Sequence, residues 1–227
     1  MPDQNWLKLM KQHRTIAVIR SNDWTIALQM AKAVSEGGMH LIEITWNSDQ
    51  PDRFLEAFRE ELPNCVVGAG TLLTHAQMQR AIAAGAQYLF TPHTDPLLIH
   101  TALAAGVPII PGTLTPTEIV TAWQAGASSV KVFPVQAVGG ASYIKSLQGP
   151  LGEIPLIPTG GVTVENASEF LAAGAIGVGL SGELFPKQAL ITRDWQTITD
   201  RAMTLMHHLE PWRTTLENAT ERTQPII

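Results

Sequence analysis

Cysteine is almost absent from this chain. Cys65 is the single one among 227 residues, so no internal disulfide can form. It sits in the apolar run Cys65-Val66-Val67, where a buried, inert thiol is the expected state. Charge is also scarce. Only 15% of residues are charged and the net charge is -5, which argues against nucleic acid and anionic membrane surfaces as partners. No apolar run approaches the roughly 18 residues of a membrane span. The first fourteen residues are mixed polar and hold no apolar signal core. Metal ligation is poorly served: the histidines at 13, 40, 75, 93, 100, 207 and 208 show no ligand spacing. These absences describe a soluble cytoplasmic protein with no metal, no cofactor and no nucleic-acid or membrane partner.

What the chain does have is a recurring small-residue junction. Glycine followed by an apolar run appears at Gly38, Gly85, Gly106, Gly126 and Gly174, at intervals of 47, 21, 20 and 48 residues. The long intervals are about twice the short ones, and each holds a weaker junction, at Leu62-Pro63-Asn64 and between Gly149 and Pro155. Seven helix-to-strand junctions imply eight strands. They are expected at Thr15–Arg20, His40–Thr45, Cys65–Ala69, Tyr88–Thr91, Val107–Pro111, Ser129–Phe133, Leu156–Thr159 and Gly177–Leu180. Each is short and nearly all apolar, as when both faces are covered. Between them run helical patterns with polar caps at Asp23, Thr74, Asp95 and Thr115, prolines at 51, 96 and 116, a seventh helix opening at Thr163, and a last helix from Asp194 to His208. Such alternation predicts a parallel α/β fold closed into a (β/α)8 barrel over residues 15–209. Residues 1–14 form a lead-in or helix, and 210–227 a loosely attached or extended tail. A doubly wound open sheet is the alternative, but it usually places a glycine-rich turn where Arg20-Ser21-Asn22-Asp23 stands.

Barrel chemistry sits at the C-terminal ends of the strands. There, Lys131 is the only one of six lysines inside an apolar strand. An ammonium so placed is costly unless paired or deprotonated, and a neutral lysine amine condenses with ketones. The plainer alternative is a lysine whose stem is buried and whose head reaches water. Glu43 is a second charge inside an apolar strand and a natural acid/base partner. If the two form only an ion pair, it stabilises little once desolvation is counted. Arg20 ends the first strand and could clamp a carboxylate or phosphate, or make a surface ion pair. Thr71 offers a hydroxyl among glycines, or a helix cap. Gly160, Gly161 and Ser181 follow the seventh and eighth strands, where barrels of this kind bind phosphate through backbone N–H groups. His93 also stands at a strand end.

Taken together, Glu43-Ile44-Thr45, Gly68-Ala69-Gly70-Thr71, Pro111-Gly112, Lys131-Val132-Phe133-Pro134 and Pro158-Thr159-Gly160-Gly161 resemble the bacterial 2-keto-3-deoxy-6-phosphogluconate aldolases, which also act as 4-hydroxy-2-oxoglutarate aldolases. The resemblance covers about residues 10 to 208. It implies a metal-free Schiff-base aldolase, typically a homotrimer, whose partners are a phosphorylated keto-deoxy sugar acid and pyruvate. It makes Lys131 the imine-forming lysine and Glu43 the general acid/base. Thr71 and Pro92 then line the pyruvate pocket, Gly160, Gly161 and Ser181 bind phosphate, and Thr159 helps set stereochemistry at C4. One departure is plain. Many members hold the pyruvate carboxylate with an arginine where this chain has Asn47. Asn47-Ser48 with Arg20 looks more like the sister 2-keto-3-deoxy-6-phosphogalactonate aldolases, which usually carry a small aliphatic residue in place of Thr159. The gluconate substrate is favoured, with Arg20 as the displaced clamp. Rivals are a phosphosugar isomerase, a thiamine- or tryptophan-pathway enzyme on the same barrel, or a non-catalytic phospho-ligand-binding barrel.

Overall fold

The computed structural model describes residues 3–213. Helix α1 (Gln4–His13) starts where Asp3 accepts from the N–H groups of Asn5 and Trp6. The first half then alternates β1 (Thr15–Ile19), α2 (Trp24–Glu36), β2 (Leu41–Thr45), α3 (Pro51–Glu61), β3 (Val66–Gly70), α4 (His75–Ala83), β4 (Leu89–Phe90) and α5 (Pro96–Ala104). There follow β5 (Ile109–Ile110), β6 (Gly112–Thr113), α6 (Pro116–Gln124), β7 (Val130–Val132), α7 (Ala141–Leu151), β8 (Leu156–Pro158), α8 (Ala167–Ala172), β9 (Val178–Leu180), α9 (Lys187–Thr192) and α10 (Trp195–His208). The five glycines of the repeat all take positive φ, from 69° at Gly106 to 102° at Gly174. A residue with a Cβ resists that conformation, so the sequence spacing marks the points where helices turn into strands.

All strand pairs are parallel. One sheet has the order β5-β4-β3-β2-β1-β9 and a second the order β6-β7-β8. The fifth strand, expected over Val107–Pro111, is divided. Pro111 has no N–H to give, and on either side of it β5 pairs with β4 while β6 pairs with β7. Main-chain bonds still cross this seam: Ser128 N–H donates to Ile109 O and Lys131 N–H to Pro111 O, both at 2.9 Å. At the other seam Thr159 bridges Gly179 in parallel, and Ile176 N–H donates to Leu156 O at 3.0 Å.

Two further expectations are corrected. The seventh helix begins at Ala167, not Thr163, because Thr163 and Asn166 first bond each other's side chain and main chain in a turn. Glu210–Trp212, expected as loose chain, form a 3-10 turn whose Trp212 carbonyl accepts from Arg14 Nε at 2.8 Å. The rest of that expected tail lies outside the described residues.

Strand side chains alternate between faces. Val130, Val132, Ile42 and Ile44 pack outward into the large core beneath the helices. A smaller cluster occupies the inner face on the side of α1. There Trp6 and Met10 meet Ile16, Leu41, Tyr88, Phe90, Ile110 and Ile157. Trp6 Nε1 donates to Ser129 Oγ at 2.8 Å, two residues before Lys131. The N-terminal ends of the strands are thereby covered, and the opposite ends remain open.

Candidate active site

At the open end lies a cavity of about 340 Å³. Lys131, in the middle of β7, and Glu43, in β2, line its depth and are only 6% and 2% exposed. Alternation puts Lys131 on the inner face with Ser129 and Phe133, as the sequence predicts. Its Nζ lies 4.6 Å from the Phe133 ring centroid and 5.7 Å from that of Phe90. Burial lowers the lysine pKa below its ordinary value; the Glu43 charge opposes this and Arg20 adds to it. Burial raises the Glu43 pKa, while Lys131 and Arg20 pull it back. Among the described residues no carboxylate oxygen lies within 4.0 Å of Lys131 Nζ. The two groups sense each other without forming a closed ion pair, so both stay available to a ligand.

Local backbone makes room for these side chains. A Cβ on Gly70 would overlap the Glu43 carboxyl. The next residue, Thr71, takes φ +58° and lines the cavity. A β-branched residue rarely adopts that conformation, and such strain gathers at functional sites. Gly160 and Gly161 have φ of 84° and 91°. With Ser181 they line the shallower part of the cavity. Thr159 follows β8 and lies beside Gly179, where any Cβ would lie 2.6 Å from the threonine hydroxyl.

Of the residues expected from sequence, Arg20, Pro92 and Thr159 also line this cavity. Asn47 does not: it is exposed and outside the lining. Its neighbour Ser48 is buried instead, and its Oγ accepts from Ser21 N–H at 3.2 Å, tying the loops after β1 and β2 together. His93 is also outside the lining; its carbonyl accepts from Thr91 Oγ1 at 2.6 Å. Sequence reasoning missed Val18, Phe133, Val162 and Glu183 as lining residues. Two carried a signal: Phe133 shares the face of Lys131, and Val18 is the register partner of Glu43. Among the described residues no group of three or more His, Cys, Asp or Glu could hold a metal ion.

A buried amine of lowered pKa, a carboxyl of raised pKa and an open cavity between them can form, cleave and hydrolyse an imine. On a parallel α/β fold, this is the equipment of a lysine-dependent carbon–carbon lyase. Comparison with known proteins gives the family. The family "Aldolase: KDPG and KHG aldolase" matches residues 7–201. A 2-dehydro-3-deoxy-phosphogluconate aldolase from Treponema pallidum is 33% identical over 190 residues, 84% of this chain and 90% of the relative. A KDPG aldolase from Legionella pneumophila, solved with pyruvate captured as a covalent carbinolamine, superposes with TM-score 0.81 at 28% identity, covering 88% of this chain and 97% of that one. A native KDPGal structure gives 0.79 at 31%, covering 87% and 95%. This chain belongs to the KDPG and KHG aldolase family and is, by that membership, an aldolase.

Proposed function

We propose that the chain cleaves 2-keto-3-deoxy-6-phosphogluconate to pyruvate and glyceraldehyde 3-phosphate, and 4-hydroxy-2-oxoglutarate to pyruvate and glyoxylate. Neutral Lys131 adds to the C2 ketone, and loss of water leaves a cationic imine. The C4 hydroxyl gives its proton to Glu43, directly or through a water. The C3–C4 electron pair moves into the imine, forming an enamine, and the aldehyde leaves. Glu43 then returns the proton to C3, and hydrolysis frees pyruvate and the amine. The observation that carries this reading is that Lys131 is the one buried lysine of the described residues and lines the same cavity as buried Glu43. Thr71 and Pro92 flank the pyruvate, Arg20 takes its carboxylate, and the N–H groups of Gly160, Gly161 and Ser181 take the phosphate at the rim.

The nine strands act as eight in a closed barrel, β5 and β6 being one strand interrupted at Pro111; the main-chain bonds across both seams support closure. The homotrimer implied by the family resemblance and the cytoplasmic location expected from composition belong to the same reading. The galactonate epimer is the second reading. Arg20 at the lining and likeness to the KDPGal structure support it. Thr159 at the lining, where a small aliphatic residue would be expected for that epimer, favours gluconate.

Borohydride added with pyruvate should leave a stable mass on the peptide holding Lys131, and Lys131→Ala should abolish both trapping and cleavage. Trapping on any other lysine, or binding of keto-deoxy acid phosphates with no release of pyruvate, would end the assignment. Cleavage of the gluconate and galactonate substrates measured side by side decides the epimer.

A further inference from the structure

Two polar atoms inside the sheet are buried with no protein partner among the described residues, Glu43 Oε1 and Tyr88 Oη. They face the same strip of β3. Glu43 pairs in register with Gly68 from β2, while the Tyr88 carbonyl, from just before β4, accepts from Ala69 N–H at 3.0 Å. Gly68 and Gly70 share one face of β3, being two residues apart. A Cβ on Gly68 would overlap the Tyr88 ring, and one on Gly70 would overlap the Glu43 carboxyl. Ring and carboxyl therefore lie along one glycine trough, at contacts about 6.6 Å apart at two residues of strand rise. The carboxylate charge reaches the phenol: burial and Glu43 together hold the Tyr88 hydroxyl well above its ordinary pKa. The ring itself is held, with Trp6 at 5.1 Å and Phe90 at 5.9 Å between centroids. Leaving a buried carboxylate oxygen without a donor is costly, and internal waters commonly serve such atoms.

We propose that Tyr88 is a positioning residue for the reaction: its hydroxyl donates to a buried water that in turn donates to Glu43 Oε1, so that the other oxygen, Oε2, is held toward the cavity as acid and base. The proposal rests on the reading of Glu43 given above. Donation to the carboxylate favours its charged form and offsets the burial that opposes it. The titratable groups acting on Glu43 are Lys131 from β7 and Arg20 beyond β1; Tyr88 is further acted on by Cys65, just before β3.

The test is deuterium exchange at pyruvate C3 by the full chain, followed against pH. Tyr88→Phe keeps the ring and removes only the donor. It should move the acidic limb of exchange upward by about one pH unit, a tenfold change in the ionisation constant, and leave borohydride trapping at Lys131 intact. In a Glu43→Gln background the same change should cost nothing further, as coupled residues require. An acidic limb that stays in place, or an equal loss in both backgrounds, overturns the role of Tyr88. If Glu43→Gln alone leaves exchange intact, the acid/base assignment falls and this inference with it. If Glu43→Gln abolishes exchange while Tyr88→Phe moves nothing, only Tyr88 is removed.

Discussion

Arg20 acts on both ends of the proposed chemistry in the same direction. A nearby cation disfavours the ammonium of Lys131 and favours the carboxylate of Glu43, so it lowers both pKa values. Arg20→Met should raise both. The pH at which borohydride trapping reaches half its maximum should move upward, and so should the acidic limb of pyruvate exchange. If Arg20 is also the carboxylate clamp, KM for pyruvate should rise about tenfold, the scale of one charge-assisted contact. A raised KM with an unmoved pH curve would leave the clamp and discard the electrostatic role. At this scale, charged residues in apolar strands were the most legible part of the sequence. Lys131 and Glu43 had nowhere to go but outward under the helices or inward to a cavity. Asn47 was not legible, because two residues past a strand the backbone has bent and alternation no longer predicts a direction. Phe133 was overlooked because an aromatic ring carries no chemistry of its own, although its ring lies against the Lys131 amine.

Among elements, α1 contributes most for its length. Trp6 is 1% exposed, and its indole N–H reaches Ser129, just before the strand that bears Lys131. Trp6→Phe keeps most of the packing but strands the buried serine hydroxyl. It should lower unfolding free energy by about 1–3 kcal/mol, seen as an earlier urea midpoint with the slope unchanged. Trp6→Ala also opens a cavity and should cost about 3–5 kcal/mol. The sequence left residues 1–14 as helix or lead-in, since a ten-residue helix needs tertiary contacts to persist. Helix starts were well marked elsewhere. Thr115 and Glu118 form the reciprocal cap that their spacing suggests. Thr163 misled because its hydroxyl serves a turn before the helix begins. The division of the fifth strand follows from a proline missing one donor, a local fact visible in sequence whose consequence depends on which neighbour each half meets.

For the molecule as a whole, the end opposite the cavity carries a different kind of liability. His13 and His40 meet edge to face at 5.5 Å between centroids, each with a buried Nδ1 that has no partner among the described residues. Burial, His40 and Arg213 lower the His13 pKa to about 4, and burial and Arg213 lower that of His40. A histidine whose folded pKa lies below its unfolded value near 6.5 favours folding in its neutral form. That stability is fully present above pH 6.5 and is lost as pH falls toward 4. Urea unfolding at pH 7.5 and at pH 4.5 should therefore show a loss that His13→Leu reduces. An equal loss in the variant would place the acid sensitivity elsewhere. The alternation of parallel strands and helices was readable at this scale, because left-handed glycines recur at five of the points where a helix hands over to a strand. How the two sheets meet was not, since it depends on hydrogen bonds between segments distant in sequence, such as Ile176 to Leu156 and Ser128 to Ile109.

Because α1 stops one end of the strands, the cavity is a cul-de-sac. Whatever bonds to the amine at its floor must wait behind whatever occupies the mouth. Under the proposed chemistry the aldehyde is the nearer traveller and pyruvate the one at the back of the queue. The order of departure is then dictated by plumbing as much as by bond breaking.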